Sequence, residues 1–498
     1  MMNTPTRIEG AQRPSRWASS LLPLVAALVL AGCATGAPDL PAVATPAAFK
    51  EQALQAPPSG NWTAAAPAES QARGEWWRAF GDPVLDDLVA RADANNTGIQ
   101  SAAARLAEAR ALARSTDADR SPQLGLGAGA SRQAGADRTL GTKPATLITA
   151  GANLSYELDL FGRLGRASEA ARLDADAREG LLQSTRLLVQ AETAQTYLAL
   201  RAIDAERAIV RETVEAYRGT LDLTQRRQRA GDIAELDVAR VETELAVNES
   251  QALTLDRRRA ELEHALGVLT GDGASSFELR GGDWSTALPI IPAGVPAVVL
   301  ARRPDVSAAQ KSVLAAQARV GVAQAAWFPS ISLTGAGGYA SPELGDLFKW
   351  SARSWGIGAL LSLPILDGGR REAGLQGARA QLDGARASYR EQVLNAFKDV
   401  EDQLSSLRIL EAQADVQARA VASARRATVL SDSRYRNGLV SQLDLLDARR
   451  SELNNRRQAL QVRSAQYQST VGLVRALGGG WDQAPTRVSS SGAELPSR

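Results

Sequence analysis

Two kinds of periodicity alternate along the chain. From Ile148 the even positions Ile148, Ala150, Ala152, Leu154, Tyr156 and Leu158 are apolar, while Thr149, Gly151, Asn153, Ser155 and Glu157 are polar or small. A period of two predicts a strand with one apolar and one polar face, here over residues 146–158. Residues 354–363 keep the same phase, with Trp355, Ile357, Ala359, Leu361 and Leu363 set against Gly356, Gly358 and Ser362. Residues 123–132 and 331–340 alternate too, so each of these strands has a partner for a hairpin. All run to about ten residues or somewhat more, the length a tilted membrane-spanning strand needs.

Between the hairpins the period lengthens to three and four, as in Leu187, Leu188, Ala191, Ala194, Tyr197, Leu198 and Arg201. Proline is absent from Ala145 to Leu288 and from Ile365 to Ala484. Residues 163–229 and 370–436 therefore predict two helices of 67 residues each, about 100 Å long at 1.5 Å per residue. Their abundant alanine favours helix and close side-by-side packing rather than a thick core. Asp82-Pro83 reads as an N-cap and first helical position. Gly231 and Gly438 end the long helices in turns, after which returning helices are expected near Ile233 and Val440, the latter capped by Ser441.

The chain is written twice. Pro122 to Pro329, Gly162-Arg163 to Gly369-Arg370, and Gly231…Asp237 to Gly438…Asp444 are all separated by 207 residues. Three matches at one step define two tandem structural repeats, residues 83–289 and 290–490, followed by a tail at 491–498. Each repeat reads helix, strand hairpin, very long helix, tight turn, helix.

Composition narrows the function. With 57 Lys+Arg against 55 Asp+Glu, one cysteine and one histidine, the chain has no bulk attraction to nucleic acid. It cannot build a Cys/His metal cluster or an intrachain disulfide, so no metal site is expected. His264 lies on a charged helix and reads as a surface residue, so no catalytic residue is expected and the chain is not read as an enzyme.

The N-terminus has Arg7, Arg13 and Arg16 before an apolar run that ends in Leu30-Ala31-Gly32-Cys33. That organisation marks residues 1–32 as an export signal, and the last four residues resemble the bacterial lipobox. The resemblance implies that Cys33, the sole cysteine, carries an S-diacylglycerol and an N-acyl chain such as palmitate. Ala34, where Asp would suggest inner-membrane retention, favours the outer membrane. Without its signal the chain holds 54 charges of each sign. Residues 33–82 form a lipid-anchored lead-in.

A spanning sheet must close on itself, because lipid offers its backbone no hydrogen-bond partners. Two hairpins give four strands, and single-chain barrels start near eight. Several copies must therefore share one barrel in the lipid bilayer, and the long helices must continue it as a tube. Thr149, Asn153, Ser155 and Glu157 would face its polar lumen. The rival architecture is a lipid-anchored periplasmic coiled-coil scaffold or adaptor that never spans the membrane, its sheet resting on its own helices.

Several motifs carry a specific resemblance. Trp76-Trp77 with Phe80 and Asp82-Pro83, Arg302-Arg303-Pro304-Asp305-Val306, Gly321…Trp327-Phe328-Pro329, Leu363-Pro364…Gly369-Arg370 and Ala476…Trp481 resemble the TolC-like outer membrane factor family, in its multidrug, RND-associated branch of efflux lipoproteins. The resemblance implies an α+β membrane protein: a homotrimer with a 12-stranded outer-membrane β-barrel, four strands per chain, continued by a periplasmic α-helical coiled-coil tunnel. It implies the exit duct of a tripartite efflux pump, completed by a periplasmic adaptor (membrane fusion) protein and an inner-membrane RND transporter. The duct would conduct drugs or small molecules passively and so contribute to multidrug resistance.

The resemblance also places Leu443 and Asp447, on the second helical tip, at the periplasmic constriction, with Arg450 at a latch position. Under three-fold symmetry they become an apolar ring and a carboxylate ring. Asp444, on the same tip, is counted with them as a gate residue. Stepping back by 207 takes Asp447 to Arg240, so Arg240 and Asp447 are candidates to latch neighbouring tips, with Arg450 a competing partner. Gly231, Leu236, Gly438 and Val440 are candidates for docking the adaptor.

Overall fold

The computed structural model describes residues 46, 48–53, 74–134, 144–282, 284–289 and 302–479. The export signal, Cys33, most of the lead-in, Trp481 and the tail at 491–498 lie outside the described residues.

Local sequence accounts for the helix ends. The Asp82 carboxylate accepts hydrogen bonds from the Val84 and Leu85 backbone N–H groups at 3.0 and 3.4 Å. Pro83 fills the first helical position, where its missing N–H costs nothing. That starts α1 (Pro83–Asn95), and Asn96 caps α2 (Thr97–Ala118) in the same manner. The chain continues through β1 (Gln123–Gln133), β2 (Ala145–Leu158), α3 (Arg163–Arg229), α4 (Glu235–Leu269) and α5 (Pro304–Ala325). It ends with β3 (Ser330–Ser341), β4 (Arg353–Ser362), α6 (Arg370–Arg436) and α7 (Gln442–Ala476). The returning helices α4 and α7 begin two residues later than the sequence pattern suggests, because Ala234 and Ser441 stay extended as N-caps.

The four strands form one antiparallel sheet in the order β1-β2-β3-β4. Its register sets Leu124 opposite Leu154, Leu154 opposite Gly335, Tyr156 opposite Leu333, and Ile331 opposite Leu361. Residues directly opposite share a face, so the even positions of β1 and β2 and the odd positions of β3 and β4 make one apolar surface. That surface does not rest on the chain's own helices: Leu126 is 87% and Ile357 85% exposed. The rival arrangement, a sheet packed on the chain's own helices, is therefore not the one adopted. Strands β1 and β4 are the two edges, each presenting a row of backbone groups to a further strand.

Where sheet meets helices, the Phe161 and Phe328 rings stack with centroids 4.7 Å apart. Arg163 reaches Glu157 at 2.7 Å. Asp159 accepts from the Leu164 and Gly165 N–H groups at 3.0 and 2.6 Å, capping α3. Midway along the helices lies the largest core cluster, in which Trp76, Trp77, Phe80, Leu85 and Leu88 pack with Tyr197, Leu198, Val400, Leu404 and Val471. Asp82 ties that belt together, since the Tyr197 hydroxyl and the Thr286 hydroxyl donate to it at 2.7 and 2.9 Å.

The Arg-Arg-Pro-Asp motif lies at the edge of the belt. Arg303, almost wholly buried, grips Asp305 through two nitrogens at 3.1 and 2.7 Å. A third nitrogen donates to Asp399 and to the Ala476 carbonyl, both at 3.1 Å. One guanidinium thus joins the start of α5 to α6 and to the end of α7.

Candidate functional site

The two turns that end the long helices share one geometry. After α3, Gly231 has φ +86°, its N–H donates to the Gln228 carbonyl at 3.0 Å, and Asp232 N–H donates to the Arg227 carbonyl at 3.0 Å. After α6, Gly438 has φ +70°, its N–H donates to Tyr435 at 3.0 Å, and Leu439 N–H donates to Arg434 at 2.8 Å. Both are Schellman turns, which need a left-handed residue that only glycine adopts without strain. They reverse each pair of helices in a few residues and place residues 229–245 and 436–453 together at one end.

The tips differ after the turn. Ser441 and Asp444 form a capping box: Asp444 N–H donates to the Ser441 hydroxyl at 3.3 Å, and Ser441 N–H donates to the Asp444 carboxylate at 3.0 Å. Asp444 is thereby tied to its own backbone. At the first tip Ala234 offers no side chain for a cap. One residue further, Gln442 is buried and donates across to the Asp237 carbonyl at 3.2 Å and the Thr224 hydroxyl at 3.4 Å.

Leu443 and Asp447 stand one helical turn apart on α7, and both are exposed, Asp447 with 62% of its side chain in solvent. Arg450 lies 3.5 Å from Asp447 and also bonds Glu244 on α4. Within the chain Asp447 therefore has Arg450 as partner, while Arg240 meets Asp237 at 3.5 Å. Of the docking candidates, Gly231, Leu236 and Gly438 are exposed and Val440 is half-buried.

Beneath these side chains Tyr217, Val241 and Leu446 form an apolar wedge joining α3, α4 and α7. Burial pushes the Tyr217 phenol up to about 12, and the Glu244 carboxylate adds to the rise. Hydrogen bonding to Glu244 raises Arg450 above its ordinary value. Arg449 donates to the Ala216 carbonyl and the Thr220 hydroxyl and pairs with Asp432 at 2.9 Å. Glu244, Arg449 and Gln442 were not singled out by sequence. The first stands in Glu242-Thr243-Glu244 as one acid among many, and only the approach of α4 to α7 distinguishes it. The arrangement is a set of ion pairs over an apolar wedge, open to solvent at the pair of Arg450 and Asp447 and largely covered at the pair of Arg449 and Asp432.

A family model described as outer membrane efflux protein matches residues 88–272 and 295–479. Among curated proteins the chain is similar to a cation efflux system protein, CusC, of Escherichia coli O6:H1, with 33% identity over 93% of this chain and 99% of that one. It is likewise similar to the antibiotic efflux pump outer membrane protein ArpC of Pseudomonas putida, with 33% identity over 96% of this chain and 99% of that one. Among solved structures, the Campylobacter jejuni CmeC outer membrane channel superposes with a TM-score of 0.81 at 25% identity, covering 90% of this chain and 95% of that one.

Proposed function

The chain belongs to the outer membrane efflux protein family, and from that premise we propose how its residues operate the duct. It is an outer-membrane channel: a homotrimer whose three four-stranded sheets close a 12-stranded barrel above a helical periplasmic tunnel. It is the exit duct of a tripartite efflux pump, fed by a periplasmic adaptor and an inner-membrane RND transporter. The observation that carries this is the sheet itself, with two unpaired edges and an apolar face left bare on long helices. Passage is passive, and we assign the chain no catalysed reaction. The cargo we propose is small molecules, in keeping with relatives named for cation and antibiotic efflux. We also propose that Cys33 carries the lipid anchor, which mass spectrometry of the N-terminal peptide tests.

The tips form the periplasmic gate in this reading. Leu443 supplies an apolar ring and Asp447 a carboxylate ring, while Arg450 and Arg240 hold neighbouring tips closed. Exposed pairs are each worth only about 0–1 kcal/mol, which suits a latch that a docking partner must open. Gly231, Leu236, Gly438 and Val440 receive the adaptor.

Single-channel recording of the full trimer in planar bilayers tests the latch. Arg450→Gln releases both Glu244 and Asp447 and is expected to raise conductance more than Arg240→Ala. Wild-type conductance in both variants counts against the latch. Photocrosslinkers at Leu236 and Val440 should capture the adaptor, and adducts confined to the barrel end would overturn the docking assignment.

A further inference from the structure

The lipid-facing strip of the sheet does not end in apolar residues. On β4 the odd positions Leu361, Ala359, Ile357 and Trp355 run toward the loop end and terminate in Arg353. The same period places Arg132 on the apolar face at the loop end of β1, opposite Thr146. Both arginines are exposed, and among the described residues neither has a carboxylate within salt-bridge distance.

The β3–β4 loop builds a platform beside one of them. The Arg353 guanidinium lies over the Trp350 ring, 4.2 Å from its centroid. Phe348 meets Tyr339, which stands opposite Arg353 on β3, edge-on at 5.6 Å. Phe348 and Trp350 are 73% and 74% exposed. The loop's Lys349 and Asp346 are paired with each other at 2.5 Å. Aromatic rings of this kind settle at a membrane–water interface, and an arginine fork at that depth matches a phosphate.

The two arginines lie on the two edge strands. When three copies close the barrel, the β4 edge of one must pair with the β1 edge of the next. We infer that each seam between subunits, at the outer rim, holds a phosphate-bearing lipid of the outer leaflet, gripped by Arg353 on its Trp350 platform and by Arg132 of the adjoining copy. The acyl chains lie along the strip from Trp355 to Leu361, continuous with the membrane face already described. The inference rests on the barrel reading and adds a specific ligand to it.

The test uses the full trimer in nanodiscs of neutral phosphatidylcholine, titrated with bisphosphorylated lipid A or with the same lipid after enzymatic dephosphorylation. Native mass spectrometry counts the bound lipids. The wild type should bind the bisphosphorylated form more tightly by on the order of tenfold or more. The double variant Arg132→Gln/Arg353→Gln should lose that preference while keeping its heat-modifiable trimer band. Equal wild-type affinity for both lipids overturns the site whatever the variant does, and so does an unchanged preference in the double variant. Loss of the trimer band in the wild type would instead break the barrel reading, so the two failures are distinct.

Discussion

The two 67-residue helices, α3 and α6, match in length and in the step that separates them, yet the chain buries them very differently. Twenty-one residues of α3 are buried against eight of α6, so the first is a central post and the second an edge. Helices α2, α4, α5 and α7 all pack on α3. Far along α6, Ala418, Val421, Ala422, Arg425, Val429 and Leu430 line an open groove at spacings of three and four. Duplication supplied two equal helices, and trimer assembly gave them unequal roles: one holds the subunit together and the other is left for neighbours.

The sharpest way to break this comparison is at Arg303, whose buried guanidinium ties α6 to the start of α5 and to the end of α7. Removing one partner of a buried ion pair costs on the order of 3–5 kcal/mol. Arg303→Met should therefore lower the thermal unfolding midpoint, followed by circular dichroism, by more than any other change considered. The pairing also has a pH signature. Burial alone would raise the Asp305 carboxyl, but its hydrogen bonds to Arg303 and that residue's charge outweigh burial and hold it below its ordinary value of 3.8. Its contribution is fully present above that value and is lost as pH falls through the lower folded one. Asp305→Asn should flatten this part of the acid-denaturation curve, and an unaltered acid limb would show that the pair is not coupled to folding.

Next in size is a pair of leucines on α6. Leu404 is fully buried in the belt, and its truncation to Ala should cost about 2–5 kcal/mol. Leu430 is 55% exposed, and Leu430→Ala should leave subunit stability within about 0.5 kcal/mol. Leu430→Asp, however, should lower the temperature at which trimer bands dissociate on gels. If both leucines behave alike, α6 is not an edge.

The glycine turns should then prove equal. A Cβ on Gly231 or Gly438 meets nothing within 4 Å, so the cost of Ala at either is conformational alone, about 1–2 kcal/mol. A large difference between Gly231→Ala and Gly438→Ala would mean that a neighbouring chain crowds one tip. The smallest effects belong to the caps. Ser441→Ala should cost about 1 kcal/mol. Ala234→Ser, with Asp237 already three residues on, should gain roughly 0.5 kcal/mol by building the missing capping box. Differential scanning calorimetry of the two variants would rank them.

Much of the architecture was legible before any coordinates. The four strands, both long helices and the turn glycines are written in local period, in proline placement and in the 207-residue step, all of which depend on near neighbours. Asp444 shows where that legibility ends. Its place on the tip makes it a gate candidate, and only the tertiary structure shows that within the chain it also caps its helix with Ser441. The pairing of Arg450 with Glu244 joins residues 206 apart, and no local pattern announces it.

By itself the sequence determined which segments are strand and which are helix, where each reverses, and that four strands need further copies to seal a barrel. These follow from backbone geometry and hydrogen-bond accounting, which act over a few residues. Only the tertiary structure decided that α3 is the post and α6 the edge, that Arg303 joins three helices, and which charges face each other at the tips. Those outcomes depend on which faces of long, nearly interchangeable helices meet, and that is settled by packing between residues far apart in the chain.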